Sequence, residues 1–266
     1  MTQQEEFYSI LATGKLTAYY QPIVSLSDGR IYGYEALARG PASSELAMPD
    51  QLWAMAEREK RLYALETLAR KRAVEGFARA NPGWKLFINL NANVIYDPQF
   101  TPGQTLALLK EHGLTTEQIV FEITERQSIT DFAAFKQALS HYRCQGYKIA
   151  IDDAGAGYSS LQAIAELRPD YIKIDRSIIR GVDRDDIKAI LLETMAVFAR
   201  KIGCQLVAEG IETFAELEAV TALGVSLGQG YVFARPQPGL PSISADVLCR
   251  LFERKIGKNL LTEASG

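Results

Sequence analysis

Short apolar runs alternate with longer helix-patterned segments along almost the whole chain, and this alternation restricts the fold more than any other feature. The runs lie at 19–24, 31–37, 85–90, 119–123, 148–151, 171–174, 205–208 and 228–233. Repeated strand–helix units place a parallel sheet under outer helices. Eight such strands within 266 residues fit a (β/α)8 barrel. Ser27-Asp28-Gly29-Arg30 splits the first two runs, and its Asp-Gly pair marks a hairpin turn. The expected fold is therefore α/β: a modified TIM-type (β/α)8 barrel with an antiparallel first hairpin.

Helical period is clear in Ile187, Ile190, Leu191, Thr194, Val197, Phe198 and Ile202, which form one stripe of a helix over about 186–202. Another helix is expected over 131–143, opened by the capping signal Ser128-Ile129-Thr130-Asp131. An amphipathic last helix spans about 242–258, with Val247, Leu248, Leu251, Phe252 and Ile256 on its apolar side. No Ser/Gly- or Pro-rich linker and no long charge block interrupts the chain. Residues 1–266 thus read as a single domain, with a core of about 14–240.

Net charge is −3 and the pI about 5.6, so the chain lacks the basic footprint that duplex DNA or RNA needs. No run of about 18 apolar residues occurs, and the N-terminus is polar and acidic; neither a membrane segment nor a secretory signal is expected. The expected location is the cytoplasm. Cys144, Cys204 and Cys249 form no CxxC and are odd in number, which suits buried free thiols in a reducing compartment. His112 and His141 share no ligand spacing with them, which argues against zinc.

The chemistry is carried by what stands where each apolar run stops. Glu35, Asn89, Glu122, the pair Asp152-Asp153, Lys173 with Asp175, Glu209 and Gln229 all occupy such positions. In a parallel barrel the C-terminal strand ends converge on one mouth, where active sites are built. Carboxylates gathered there repel one another unless cations compensate them. An all-oxygen donor set without His or Cys selects hard ions, Mg²⁺ or Mn²⁺. Adjacent Asp152 and Asp153 suit a bridged pair of ions, a recurrent device for phosphodiester hydrolysis. Lys173 is placed to orient or deprotonate a water, or to hold a phosphate oxygen. One carboxylate after a strand is more often a helix cap. Repetition at six strand ends is what favours the metal site. The loop Ala154-Gly155-Ala156-Gly157-Tyr158-Ser159-Ser160-Leu161 matches neither phosphate-binding fingerprint, Walker or Rossmann.

Taken in order, Gln21-Pro22-Ile23-Val24, Glu35-Ala36-Leu37-Ala38-Arg39, Asn89-Leu90, Glu122-Ile123-Thr124-Glu125, Asp152-Asp153, Lys173-Ile174-Asp175, Ala208-Glu209-Gly210-Ile211-Glu212 and Gln229-Gly230-Tyr231 resemble the EAL family over about residues 14 to 240. The resemblance implies a cyclic di-GMP-specific phosphodiesterase that yields linear pGpG. It implies that Glu35, Asn89, Glu122 and Asp152 bind one metal, and that Asp152, Asp153 and Glu209 bind the second. Lys173 matches the lysine near the nucleophilic water, with Glu35 and Glu209 counted among the catalytic residues. Gln21, Leu37, Arg39, Asp175 and Gln229 match substrate-binding positions. Glu125 matches the glutamate that steadies the loop after the aspartate pair. A homodimer is implied as well. Ala154 and Ala156 stand where many members carry Phe and Thr, and the alternative they leave is a weak or inactive cyclic di-GMP receptor.

Overall fold

The computed structural model describes residues 2–91, 97–99, 103–124, 132–155 and 160–251. The strands among them are β1 (Thr17–Ser25), β2 (Ile31–Arg39), β3 (Lys85–Asn89), β4 (Ile119–Thr124), β5 (Lys148–Ala154), β6 (Tyr171–Ile174), β7 (Gln205–Ala208), β8 (Leu227–Gln229) and β9 (Gln237–Pro238). They hydrogen-bond in the order β2-β3-β4-β5-β6-β7-β8-β1-β9, and β1 also pairs with β2. The first eight strands therefore return on themselves, which is the topology of the modified barrel expected from the sequence. The contacts group into two compact units, described in turn.

The first unit takes the residues up to Tyr20, Tyr34–Ala150 and Pro236–Leu240. It opens with α1 (Gln3–Thr13), which the apolar periodicity did not announce. Thr2 starts it with a capping box: the Thr2 hydroxyl accepts from the Glu5 amide at 3.1 Å, and the Glu5 carboxylate from the Thr2 amide at 2.8 Å. Phe7 and Ile10 of α1 are buried with Leu52, Met55 and Ala56 of α2 (Pro49–Arg58) and Leu65 of α3 (Leu62–Phe77). Each large side chain so buried contributes roughly 1.5–3 kcal/mol. β3 and β4 run parallel, from Leu86 opposite Ile119 to Asn89 opposite Glu122. Leu86, Phe87, Ile119, Val120 and Phe121 are wholly buried, as expected where a sheet is covered on both faces. α4 (Gln104–Glu111) lies between them in the chain, and α5 (Phe132–Cys144) follows β4. The capping signal assigned to 128–131 lies outside the described residues.

The second unit takes Gln21–Gly33, Ile151–Arg235 and the residues from Pro241. Its helices are α6 (Ser160–Leu167), α7 (Arg176–Ile179), α8 (Asp186–Lys201) and α9 (Phe214–Ala222). β6 pairs parallel with β7, and β7 with β8, whereas β1 runs antiparallel to β8 from Ile23 opposite Gln229 to Ser25 opposite Leu227. The hairpin turn forms where Asp-Gly placed it: the Gly29 amide donates to the Ser25 carbonyl at 2.8 Å, and the Ser25 amide to Arg30 at 2.9 Å.

Three expectations need correction. The last strand does not reach residue 233 but stops at Gln229, because Gly230 lies on the backbone of Ile211, where a Cβ would meet the carbonyl oxygen at 2.1 Å. The chain turns there, with the Phe233 amide donating to Gly230. Only Cys204 is buried; Cys144 and Cys249 are exposed on helices. Burial pushes the Cys204 thiol up to about 12, so it stays protonated and inert. The last helix begins at 245 rather than 242 and is followed to 251; Phe252 and Ile256 lie outside the described residues. Its Arg250 stacks over Phe214 at 4.4 Å from the ring centre. No helix among the described residues is long and apolar enough to cross a membrane.

Candidate active site

In the second unit, parallel pairing brings three strand ends into step. The Asp175 amide donates to the Ala154 carbonyl and the Glu209 amide to the Ile174 carbonyl, both at 3.1 Å. Asp152, Asp153 and Glu209 each then offer a carboxylate oxygen, and these oxygens lie within 4.8 Å of one another. The Lys173 side chain is 1% exposed, and its Nζ stands 3.0 Å from Asp152 Oδ1 and 2.6 Å from Glu209 Oε1. Burying an ammonium ion costs several kcal/mol, and here the two carboxylates offset that cost. The donors are all hard oxygens around a point that already attracts positive charge, so they fit a divalent cation such as Mg²⁺ or Mn²⁺.

Asp153 has a φ of 55°, in the left-handed region that a non-glycine residue enters at a cost of about 1–3 kcal/mol. Gly155 follows at 99°, where a Cβ would stand 2.3 Å from the Ile178 side chain of α7. The start of this loop is thus pressed onto α7. Ala154 is buried, whereas Ala156 and Gly157 lie outside the described residues.

The second unit also holds the two candidate glutamines, bonded to each other. Gln229 Nε2 donates to Gln21 Oε1 at 3.1 Å, and Gln21 Nε2 donates to the Ala234 carbonyl at 3.1 Å. Asp175 instead caps α7, its carboxylate accepting from the Ser177 amide at 2.9 Å.

The first unit carries the remaining candidates. Asn89 and Glu122 are paired across β3 and β4, and the Leu90 amide donates to the Glu122 carbonyl at 2.8 Å. Glu122 is wholly buried, and Glu35 of β2 is 8% exposed. Arg39 Nη1 donates to the Ala38 carbonyl at 2.9 Å, and its guanidinium carbon lies 5.5 Å from the centre of the Tyr19 ring. Those contacts restrain the guanidinium fork. Leu37 is half-buried beside it. Glu125 lies outside the described residues.

Sequence reasoning missed two buried glutamates. Burial alone would raise the Glu216 carboxyl, but the amides of Gly181, Glu212 and Thr213, each at 3.0 Å, more than offset it and hold it below its usual range. Thr213 and Glu216 form a capping box, a legible signal at that spacing. Glu66 pairs with Arg70 on α3, at a spacing of four residues among Leu65, Ala69 and Ala73. Opposite charges on an otherwise apolar helix face were the available sign.

The family model for the EAL domain matches residues 4–236. The chain belongs to the EAL domain family. It is 33% identical over 239 residues to the cyclic di-GMP phosphodiesterase RocR of Pseudomonas aeruginosa, covering 86% of this chain and 59% of that protein. Identity is 31% to the probable cyclic di-GMP phosphodiesterase PdeB of Escherichia coli, over 84% of this chain and 43% of the relative. The chain thus spans about half the length of these relatives. Among solved structures, Klebsiella pneumoniae BlrP1 in a manganese/cy-diGMP complex is similar at a TM-score of 0.79 and 31% identity, over 86% of this chain and 58% of that one. A standalone EAL protein from Vibrio cholerae in its c-di-GMP bound form gives 0.77 and 32%, over 86% and 95%. The barrel of this EAL domain is therefore shared with proteins that bind the dinucleotide.

Proposed function

We propose that this EAL domain hydrolyses one phosphodiester bond of cyclic di-GMP to give linear pGpG, using two divalent cations, Mg²⁺ or Mn²⁺. The observation that carries the reading is the carboxylate cluster of Asp152, Asp153 and Glu209 around the buried Lys173 ammonium. One ion is assigned to Glu35, Asn89, Glu122 and Asp152, and the second to Asp152, Asp153 and Glu209. When bound, such ions lower the pKa of a water and neutralise charge on the attacked phosphate. Lys173 Nζ then orients that water by donating a hydrogen bond from its ammonium group. Arg39 grips a phosphate oxygen through its fork, with Leu37 beside it. The Gln21–Gln229 pair lines the nucleotide pocket, Asp175 lies next to it, and Glu125 steadies the loop after the aspartates.

The family match from 4 to 236 supports reading both units as one domain. Three free cysteines agree with a reducing, cytoplasmic setting. A homodimer is supported by α8. This helix buries Leu192, Ala196 and Ala199 but leaves Ile187 75%, Ile190 58% and Leu191 44% exposed. Asp186 stands at its start and Arg200 and Lys201 at its end, so two copies laid antiparallel about a twofold axis place opposite charges together. Sedimentation should show a dimer that Ile190→Glu converts to a monomer; a monomeric parent chain sinks this assignment.

The direct test is chromatography of cyclic di-GMP incubated with the protein and Mn²⁺ or Mg²⁺, beside an EDTA control. Metal-dependent pGpG is expected. Binding of an unchanged substrate would make the chain a receptor, and absence of binding would remove the dinucleotide altogether.

A further inference from the structure

We propose that the buried Glu66–Arg70 pair of α3 is a positioning device for Asn89, and through it for one of the two cation sites; this rests on the ligand assignment above. Glu66 is 2% exposed and Arg70 6%. Glu66 Oε1 accepts from Arg70 Nη2 at 2.5 Å, and Glu66 Oε2 accepts from the Asn91 amide at 3.3 Å. Arg70 Nη1 donates to Thr105 Oγ1 in the first turn of α4 at 2.9 Å. Its guanidinium carbon also lies 5.6 Å from the centre of the Phe121 ring, next in sequence to Glu122.

These contacts meet around the end of β3. Asn89 is paired with Glu122, the Leu90 amide donates to the Glu122 carbonyl, and the Asn91 amide is taken by Glu66. Consecutive amides beyond the strand are thus anchored by two different elements, one by β4 and one by α3. The backbone that carries the Asn89 carboxamide is held between them. Asn89, Glu66 and Arg70 also line one cavity of about 70 Å³.

Stability alone does not account for the pair. A buried ion pair is often no better than apolar side chains of the same volume. Arg70 Nε also has no hydrogen-bond acceptor among the described residues, an added cost. Burial pushes the Glu66 carboxyl up to about 7, although Arg70 and the Asn91 amide both favour its charged form. What the pair supplies that an apolar replacement cannot is an acceptor for the Asn91 amide and a link from it to α4. Groups hydrogen-bonded directly to a metal ligand commonly change metal affinity by about 10–100-fold, and a hold on the backbone two residues beyond Asn89 is expected at the low end of that range.

The test compares the parent chain with Glu66→Gln and with the double variant Glu66→Leu, Arg70→Met, which keeps an apolar fill should the single variant misfold. Mn²⁺ binding is followed without nucleotide by the paramagnetic resonance of free Mn²⁺, beside melting in EDTA and kcat and KM for cyclic di-GMP. One of two Mn²⁺ ions should weaken at least about tenfold in the double variant, with the other unchanged. Its kcat should recover as Mn²⁺ is raised, while KM for the nucleotide stays near that of the parent. A lowered melting temperature with both Mn²⁺ affinities intact overturns the positioning role. A parent chain that binds no Mn²⁺ overturns the ligand assignment itself, a result distinguishable from the first.

Discussion

Asp152→Asn is expected to reduce turnover of cyclic di-GMP by about a thousandfold or more while leaving the fold intact. Asp152 is the one carboxylate assigned to both ions, so the exchange weakens both at once. Loss of roughly 4 kcal/mol of charge stabilisation in the transition state corresponds to about three powers of ten in rate. The fold survives because the backbone ladder around β5 does not use this side chain, and Lys173 keeps Glu209 at 2.6 Å. Melting in EDTA should therefore change little. The rise in melting temperature on adding Mn²⁺ should disappear, since only a bound ligand stabilises by mass action. Near-normal turnover by the Asp152→Asn variant would dispose of the bridging assignment.

Lys173→Met should separate stability from catalysis. Without metal, its ammonium neutralises Asp152 and Glu209 from a site 1% exposed. Removing one partner of a buried pair costs about 3–5 kcal/mol, and somewhat less here because the Asp152 and Glu209 side chains keep 11% and 17% of their exposure. The metal-free variant should thus melt well below the parent. Mn²⁺ should then stabilise it more than it stabilises the parent, since the ion no longer competes with an ammonium for the same oxygens. Turnover should still fall by about 10²–10⁴ at saturating Mn²⁺, a range comparable with that of a positioned acid or base. If turnover at saturating Mn²⁺ stays within about tenfold of the parent, Lys173 acts only as a counter-charge and the water-handling role is lost.

Much of this site could be read along the chain. Parallel strands buried on both faces are continuous apolar runs, so the first polar residue after each run lies at or near a strand end. Asn89 closes β3, Glu209 follows β7, and Glu122 and Asp152 stand two residues inside the ends of β4 and β5. The hairpin turn at Asp28-Gly29 was legible because its backbone demands are local. The end of β8 was not, because the residue that stops it, Gly230, does so against Ile211, far away in sequence. Glu66 and Arg70 left only a faint sign, an apolar helix face around them; charges four apart on a helix usually mark a solvated face, and packing decides that this pair is buried.

The stripe of α8 shows where the division falls. Its period established a helix, because side chains at i, i+3 and i+4 share a face whatever surrounds them. Which face turns inward was decided by tertiary packing, which selected the smaller Ala196 and Ala199 beside Leu192 and left the larger Ile187 and Ile190 outside. The order of motifs likewise determined by itself the family and the residue types of the site. That Lys173 stands between Asp152 and Glu209, and that Glu66 holds the amide beyond Asn89, was decided only by the folded structure. Separations between groups far apart in the chain depend on how strands and helices pack, and no local pattern encodes them.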